Sequence, residues 1–257
     1  MSRIDLELTD RIAVVTLRNE PLNIFDIGFY TEVREFMLDL NARSDFDAVV
    51  ITSGCRHFSG GGDLPEIQRI CSDVKVAERV SRAVAACMGS IYHCKKPVIA
   101  AVHGNAIGSG TGIAASCDLI IAQETSKFAV PEINVGFIGA SEFMQLLVPK
   151  KLARYYAYTG KPITGAELKR WGGVLDTAGT REEVLEKAMA VAREIAARAP
   201  AAVSLFKAAM NYNDNEDLEG KFFHEMRLGL GGFYGSDDAG ECIAAMLEKR
   251  KPVYTGK

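Results

Sequence analysis

Two glycine-rich segments, each entered from an apolar run and left through a helical pattern, most constrain what this chain can fold into. The first, Phe58-Ser59-Gly60-Gly61-Gly62-Asp63-Leu64, follows a strand expected over 48–51. The second, His103-Gly104-Asn105-Ala106-Ile107-Gly108-Ser109-Gly110-Thr111-Gly112, leaves a buried strand expected over 97–102. Glycine adopts dihedrals closed to other residues and lets backbone amides approach a neighbour closely. Amides at such a turn, with a helix starting just beyond, make anion-binding positions. A glycine-rich loop alone is equally a tight turn. The second segment is not a nucleotide motif: Gly108, Gly110 and Gly112 alternate rather than follow G-x-G-x-x-G, and no Lys-Ser/Thr ending marks a P-loop. Two separate loops can, however, offer one N–H apiece to a single oxygen. That is an oxyanion hole, useful where a carbonyl becomes an enolate or a tetrahedral adduct.

The surrounding pattern is α/β. Alternation at Ile4, Leu6 and Leu8 and again over 12–17 predicts two antiparallel strands joined at Thr9-Asp10-Arg11. Phe29, Val33, Phe36, Met37 and Leu40 recur at helical spacing, a second helix is expected over 76–92, and a further strand over 119–122. Beyond about residue 140 the pattern turns helical, over 142–159, 164–171, 181–198, 200–212, 217–230 and 237–249, with one short strand at Val174-Leu175-Asp176. The expected organisation is an α/β core over 1–190 and a helical region over 191–257. Phe222, Phe223, Met226, Leu228, Leu230, Phe233 and Tyr234 would bury an apolar face against that core or against another subunit.

Composition closes off several classes. The chain has 257 residues, 48% of them apolar, enough for a sizeable core without disulfides or a structural metal. A net charge of -3 argues against a nucleic-acid partner, which calls for a basic face. The six cysteines form no C-x-x-C pair, so they read as neutral thiols in a reducing compartment, and no zinc site is expected. The amino terminus runs straight into a strand pattern, and no apolar run is long enough to span a membrane. A cytoplasmic protein without a membrane partner is expected.

The third chemical element is Phe128-Ala129-Val130-Pro131-Glu132-Ile133-Asn134-Val135-Gly136. Glu132 sits among apolar residues, where desolvation raises a carboxyl toward the range of a working acid or base. Alone, it reads as readily as an exposed or paired glutamate at a strand end. Together with Pro21-Leu22-Asn23, the two glycine loops, the run 96–104, Cys117-Asp118 and Glu248-Lys249-Arg250-Lys251-Pro252, it closely resembles the crotonase (enoyl-CoA hydratase/isomerase) superfamily over almost the whole chain.

The resemblance implies a ββα spiral core with a C-terminal helical region serving oligomerisation and covering the active site, assembled as a homotrimer or homohexamer. It implies an acyl-CoA thioester substrate and no metal or redox cofactor. Its oxyanion donors fall on the N–H groups of Gly60 and Ser109, the latter where relatives usually carry glycine. Gly60, Gly61, Gly62, Asp63 and Leu64 would lie along the CoA arm. Lys249 matches a position that can reach a CoA phosphate, or it is a solvated lysine. Pro65 stands where relatives often place a CoA-contacting lysine, a loss that Arg56 or Lys249 would offset. Typical hydratases carry a first glutamate where this chain has Gly112, so only Glu132 remains. One carboxylate suffices to move a proton between two carbons, which fits double-bond isomerisation of an enoyl-CoA. Hydration or a hydratase-lyase reaction with the same Glu132 is the alternative, and a non-catalytic acyl-CoA-binding subunit is the alternative of another class. Glu142 is either a second acid or a helix-capping residue, and His57 is a substrate contact or a turn residue.

Overall fold

The computed structural model describes residues 3–135, 139–212 and 218–256. Strands β1 (Ile4–Thr9) and β2 (Ile12–Leu17) pair antiparallel through a turn in which Asp10 and Arg11 both take positive φ, as the sequence predicts. From β2 the main sheet continues in parallel through β4 (Ala48–Ser53), β6 (Val98–Val102), β8 (Leu119–Gln123) and β11 (Asp176–Ala178). Every residue of β4 and β6 is buried, the mark of strands covered on both faces.

Period-two alternation sends successive side chains to opposite sides of this sheet. Val49, Ile51, Val98, Ala100 and Val102 join the larger core with Phe29, Val33 and Met37 of α1 (Ile27–Ala42) and Cys87, Met88 and Ile91 of α3 (Val74–Tyr92). Ala48, Val50, Ile99 and Ala101 face the other way, onto Val184, Ala188 and Ala192 of α8 (Arg181–Ala196). Residue 190 therefore falls inside a helix whose buried face belongs to the main sheet. The main sheet's second face is thus covered by α8 on both sides of residue 190.

Small strands do the positioning. β3 (Ile24–Phe25) pairs in parallel with β5 (Gly61–Gly62), while β7 (Ala106–Ile107), β9 (Lys127–Ala129) and β10 (Ile163–Thr164) form a three-stranded sheet. The helix expected over 76–92 is α3, and α2 (Leu64–Ser72) precedes it; Asp73 ends the first and caps the second with its carboxylate on the Lys75 N–H. One helical expectation divides. The expected 142–159 helix breaks at Pro149, whose extended ψ and missing N–H separate α5 (Ser141–Gln145) from α6 (Lys150–Thr159). The short strand near 175 pairs at Asp176, not Val174, one step after the Leu175 N–H meets the Ile120 carbonyl.

Helix α7 (Gly165–Trp171) opens with a capping box between Thr164 and Glu167. Helices α9 (Pro200–Met210), α10 (Leu218–Gly232) and α11 (Asp237–Leu247) close the chain. Helix α9 is tied to the core by the Lys207 ammonium, 2.6 Å from Asp118 Oδ2 and 3.2 Å from the Lys96 carbonyl. Cys55, Cys87, Cys94 and Cys117 are buried free thiols. Among the described residues no helix is long and apolar enough to cross a membrane.

Candidate active site

The first glycine loop is held by Asn23. This side chain is wholly buried, and its amide donates to the Leu17 carbonyl (3.0 Å), Ser53 Oγ (2.7 Å) and the Phe58 carbonyl (3.2 Å). Its Oδ1 accepts from the Asn19 N–H at 2.5 Å. Ser59 extends the staple, donating to the Asn23 carbonyl at 2.7 Å and accepting from the Gly61 N–H at 3.0 Å. Pro21-Leu22-Asn23 is thus the clamp on the loop, a role its sequence does not disclose.

That clamp corrects one site assignment. The Gly60 N–H donates to the Leu22 carbonyl at 2.8 Å, so it faces the clamp and is not a donor to substrate. The Gly61 N–H is taken by Ser59, and the Asp63 N–H by the Phe25 carbonyl at 2.9 Å. Parallel pairing engages alternate amides, which leaves the Gly62 N–H outside the β3–β5 ladder. Gly61 has φ of +104°, and a Cβ there would stand 3.1 Å from the Ile107 carbonyl oxygen, so glycine is required where the two loops cross. Asp63 caps α2, its carboxylate accepting from the Glu66 N–H at 3.0 Å, and Leu64 projects 71% exposed beside it.

The second loop turns at Gly108, with φ of +49°, into α4 (Ser109–Ser116). Ser109 is the first helical residue, so its N–H is one of the donors that no intrahelical carbonyl takes. Thr111 Oγ1 lies 2.6 Å from the Ala106 carbonyl and 2.9 Å from that of Ala129, locking the start of α4 to β9. Directly after β9, a short 3₁₀ helix (Pro131–Val135) carries Glu132. The Glu132 carboxylate fills the space a side chain at 108 would need: a Cβ on Gly108 would sit 2.8 Å from Oε1.

Electrostatically, Glu132 is the outlier. Its Oε2 is buried with no hydrogen-bond partner among the described residues. Burial pushes its carboxyl up to about 7, against a smaller lowering by backbone hydrogen bonding. No second carboxylate joins it at Gly112, where a Cβ would meet Met88 Cε and the Phe143 ring at 2.9 Å each. Glu142 lies exposed in the first turn of α5 and accepts from Gln145 Nε2 at 2.7 Å, a surface role.

Other expectations land away from the carboxylate. Lys249 is exposed beyond α11 with φ of +53°, and no described contact brings it to the glycine loops. Arg56 is exposed, and Pro65 occupies the first turn of α2. His57 Nδ1 accepts from the Asn105 N–H at 3.2 Å, linking the two loops. One group escaped sequence reasoning: the Tyr30 hydroxyl, on the buried face of α1, is hydrogen-bonded to Ser109 Oγ. A tyrosine within an otherwise apolar helical stripe was its only signal.

Comparison with known proteins fixes the class first. The fold is the crotonase fold, superposing on an enoyl-CoA hydratase from Mycobacterium smegmatis with a TM-score of 0.91 and 26% identity, over 98% of this chain and 99% of the other. The profile of the enoyl-CoA hydratase/isomerase family matches residues 7–257, and the chain belongs to that family. It is 30% identical over 254 residues to a probable enoyl-CoA hydratase, echA8, of Mycobacterium bovis, covering 97% of this chain and 96% of that one. A probable enoyl-CoA hydratase of Bacillus subtilis is 31% identical over 264 residues, covering all of both.

Proposed function

We propose that the protein isomerises the double bond of an enoyl-CoA, with Glu132 as the single acid/base and the N–H groups of Gly62 and Ser109 as the oxyanion hole. The carboxylate takes a proton from C2 of a 3-enoyl thioester, and the electron pair moves to the thioester oxygen. The resulting dienolate is held by the two amides. The protonated Glu132 then returns the proton to C4, leaving the double bond between C2 and C3. No metal or redox cofactor enters this scheme. Gly61, Gly62, Asp63 and Leu64 would follow the CoA arm, with Lys249 available to a phosphate. Apolar residues exposed on the last three helices, among them Phe206, Met210, Leu230 and Met246, support a homotrimer or homohexamer.

The observation that carries this reading is the solitary, desolvated carboxylate. Moving a proton between carbons needs one group with a carboxyl near neutrality, and Glu132 is held at about 7. The position of a second carboxylate is held by Gly112, with Met88 and Phe143 packed against it. The relatives named as hydratases favour a second reading, in which Glu132 deprotonates water adding at C3 of a 2-enoyl-CoA and returns the proton to C2.

Mass spectrometry of the products from a 3-enoyl-CoA and a 2-enoyl-CoA in deuterated water separates the readings. Double-bond migration with deuterium uptake and no added water, lost in Glu132→Gln, is expected. Gain of one water, lost in the same variant, would replace isomerisation by hydration. Turnover of neither substrate, with CoA esters still bound, would make the protein a binding subunit.

A further inference from the structure

Ser109 stands where a backbone amide alone would serve, yet its side chain is engaged. Tyr30 lies on the buried face of α1, only 3% exposed, with its ring 5.1 Å from that of Phe25. A buried phenol needs a hydrogen-bond partner, and among the described residues its partner is Ser109 Oγ, 79 positions further along the chain. Burial holds the Tyr30 hydroxyl well above the ordinary phenol range, so it keeps its proton across the physiological range.

Either hydroxyl can donate in this contact, and the arrangement in which the buried phenol donates is the one that leaves no Tyr30 proton unpaired. In that arrangement Ser109 Oγ is the acceptor, and its own proton points elsewhere. It does not go to Glu132 Oε2, which has no partner among the described residues. Ser109 itself is half-buried at the mouth of α4, and its Oγ lies 3.8 Å from where a Cβ on Gly62 would be. The hydroxyl therefore lies beside Gly62, whose amide is one of the two proposed donors. Glu132 is close enough for its charge to act on Tyr30.

We propose that the Ser109 hydroxyl, oriented by Tyr30, is a third hydrogen-bond donor to the substrate's thioester oxygen, beside the N–H groups of Gly62 and Ser109. Ser109 is the catalytic residue and Tyr30 the positioning residue behind it. The arrangement supplements two backbone donors, whose direction is fixed by the fold, with a side-chain donor whose direction depends on one buried phenol. It rests on the acyl-CoA reading above. The competing explanation is a tie between α1 and α4 with no part in binding.

The test reads the carbonyl itself. The full chain is titrated with hexanoyl-CoA labelled with 13C at the thioester carbon, and the bound chemical shift is measured for wild type, S109A, S109T and Y30F. Wild type should move the carbonyl signal downfield. S109A should lose a substantial part of that movement and about tenfold in turnover, the worth of one hydrogen bond to a developing charge. S109T should restore both, and Y30F should fall between. A bound shift in S109A and Y30F equal to wild type, whatever their melting temperatures, would overturn the third donor and leave the acyl-CoA reading standing. No shift and no binding in wild type would overturn that reading and the third donor together.

Discussion

The two glycine loops look alike in sequence and do different work in the fold. In the first, Asn23 and Ser59 take up carbonyls and amides from Leu17 to Gly61, and even the Gly60 N–H faces inward. In the second, the turn at Gly108 leaves the start of α4 open and makes room for a carboxylate. The first loop is a clamped scaffold, whereas the second leaves space that the Glu132 carboxylate fills. A glycine in such a loop can serve hydrogen-bond closure or side-chain clearance, and only the neighbouring atoms tell which.

Substitutions sharpen that contrast, beginning with the largest effect. Glu132→Gln should lower turnover by roughly 1,000-fold or more with acyl-CoA affinity kept, measured by steady-state kinetics and calorimetry. Gly108→Ala should cost about 100-fold in turnover, because the new Cβ displaces Glu132 Oε1 from a position only 2.8 Å away. Asn23→Ala should act in the opposite sense, on stability. Stranding the buried Phe58 carbonyl and the Asn19 N–H should lower unfolding free energy by about 3 kcal/mol in urea titrations. Turnover of its folded fraction should stay within an order of magnitude of wild type. A catalytic collapse in Asn23→Ala without loss of stability would break the division between the loops.

The last effect, of similar size in stability, concerns pH. In the fold Glu132 ionises near 7, against 4.5 for an unperturbed glutamate. Between those values the folded state binds the extra proton, so stability falls as pH rises through that window. Above it the full penalty applies, at most about 3 kcal/mol. Glu132→Gln should therefore match wild type in stability below pH 4.5 and exceed it above pH 7, which denaturant titrations at both ends would show.

Much of the scaffold was legible because it follows from periodicity. Strands β1, β2, β4, β6 and β8 alternate or run β-branched and buried, and α1 and α8 carry helical stripes. The two- and three-residue strands β3, β5, β7, β9 and β10 are too short for any period to register. Glu132 was legible from its apolar surroundings and the motif around it. Which glycine amide stays free was not: that depends on the Leu22 carbonyl, which is distant in the reading frame of local pattern yet adjacent in the fold. Tyr30 was hidden for a related reason, since its ring satisfies the helical stripe and its hydroxyl matters only once α4 arrives beside it.

In the proposed reaction one desolvated carboxylate, Glu132, performs the proton transfer. Difference infrared spectroscopy of wild type minus Glu132→Gln, followed from pH 4 to 9, reads that carboxyl directly. A single carboxylate band should appear with a midpoint at about 7, coincident with the acidic limb of the kcat/KM profile. A midpoint near 4.5, or a kinetic limb that persists unchanged in Glu132→Gln, would contradict that role for Glu132.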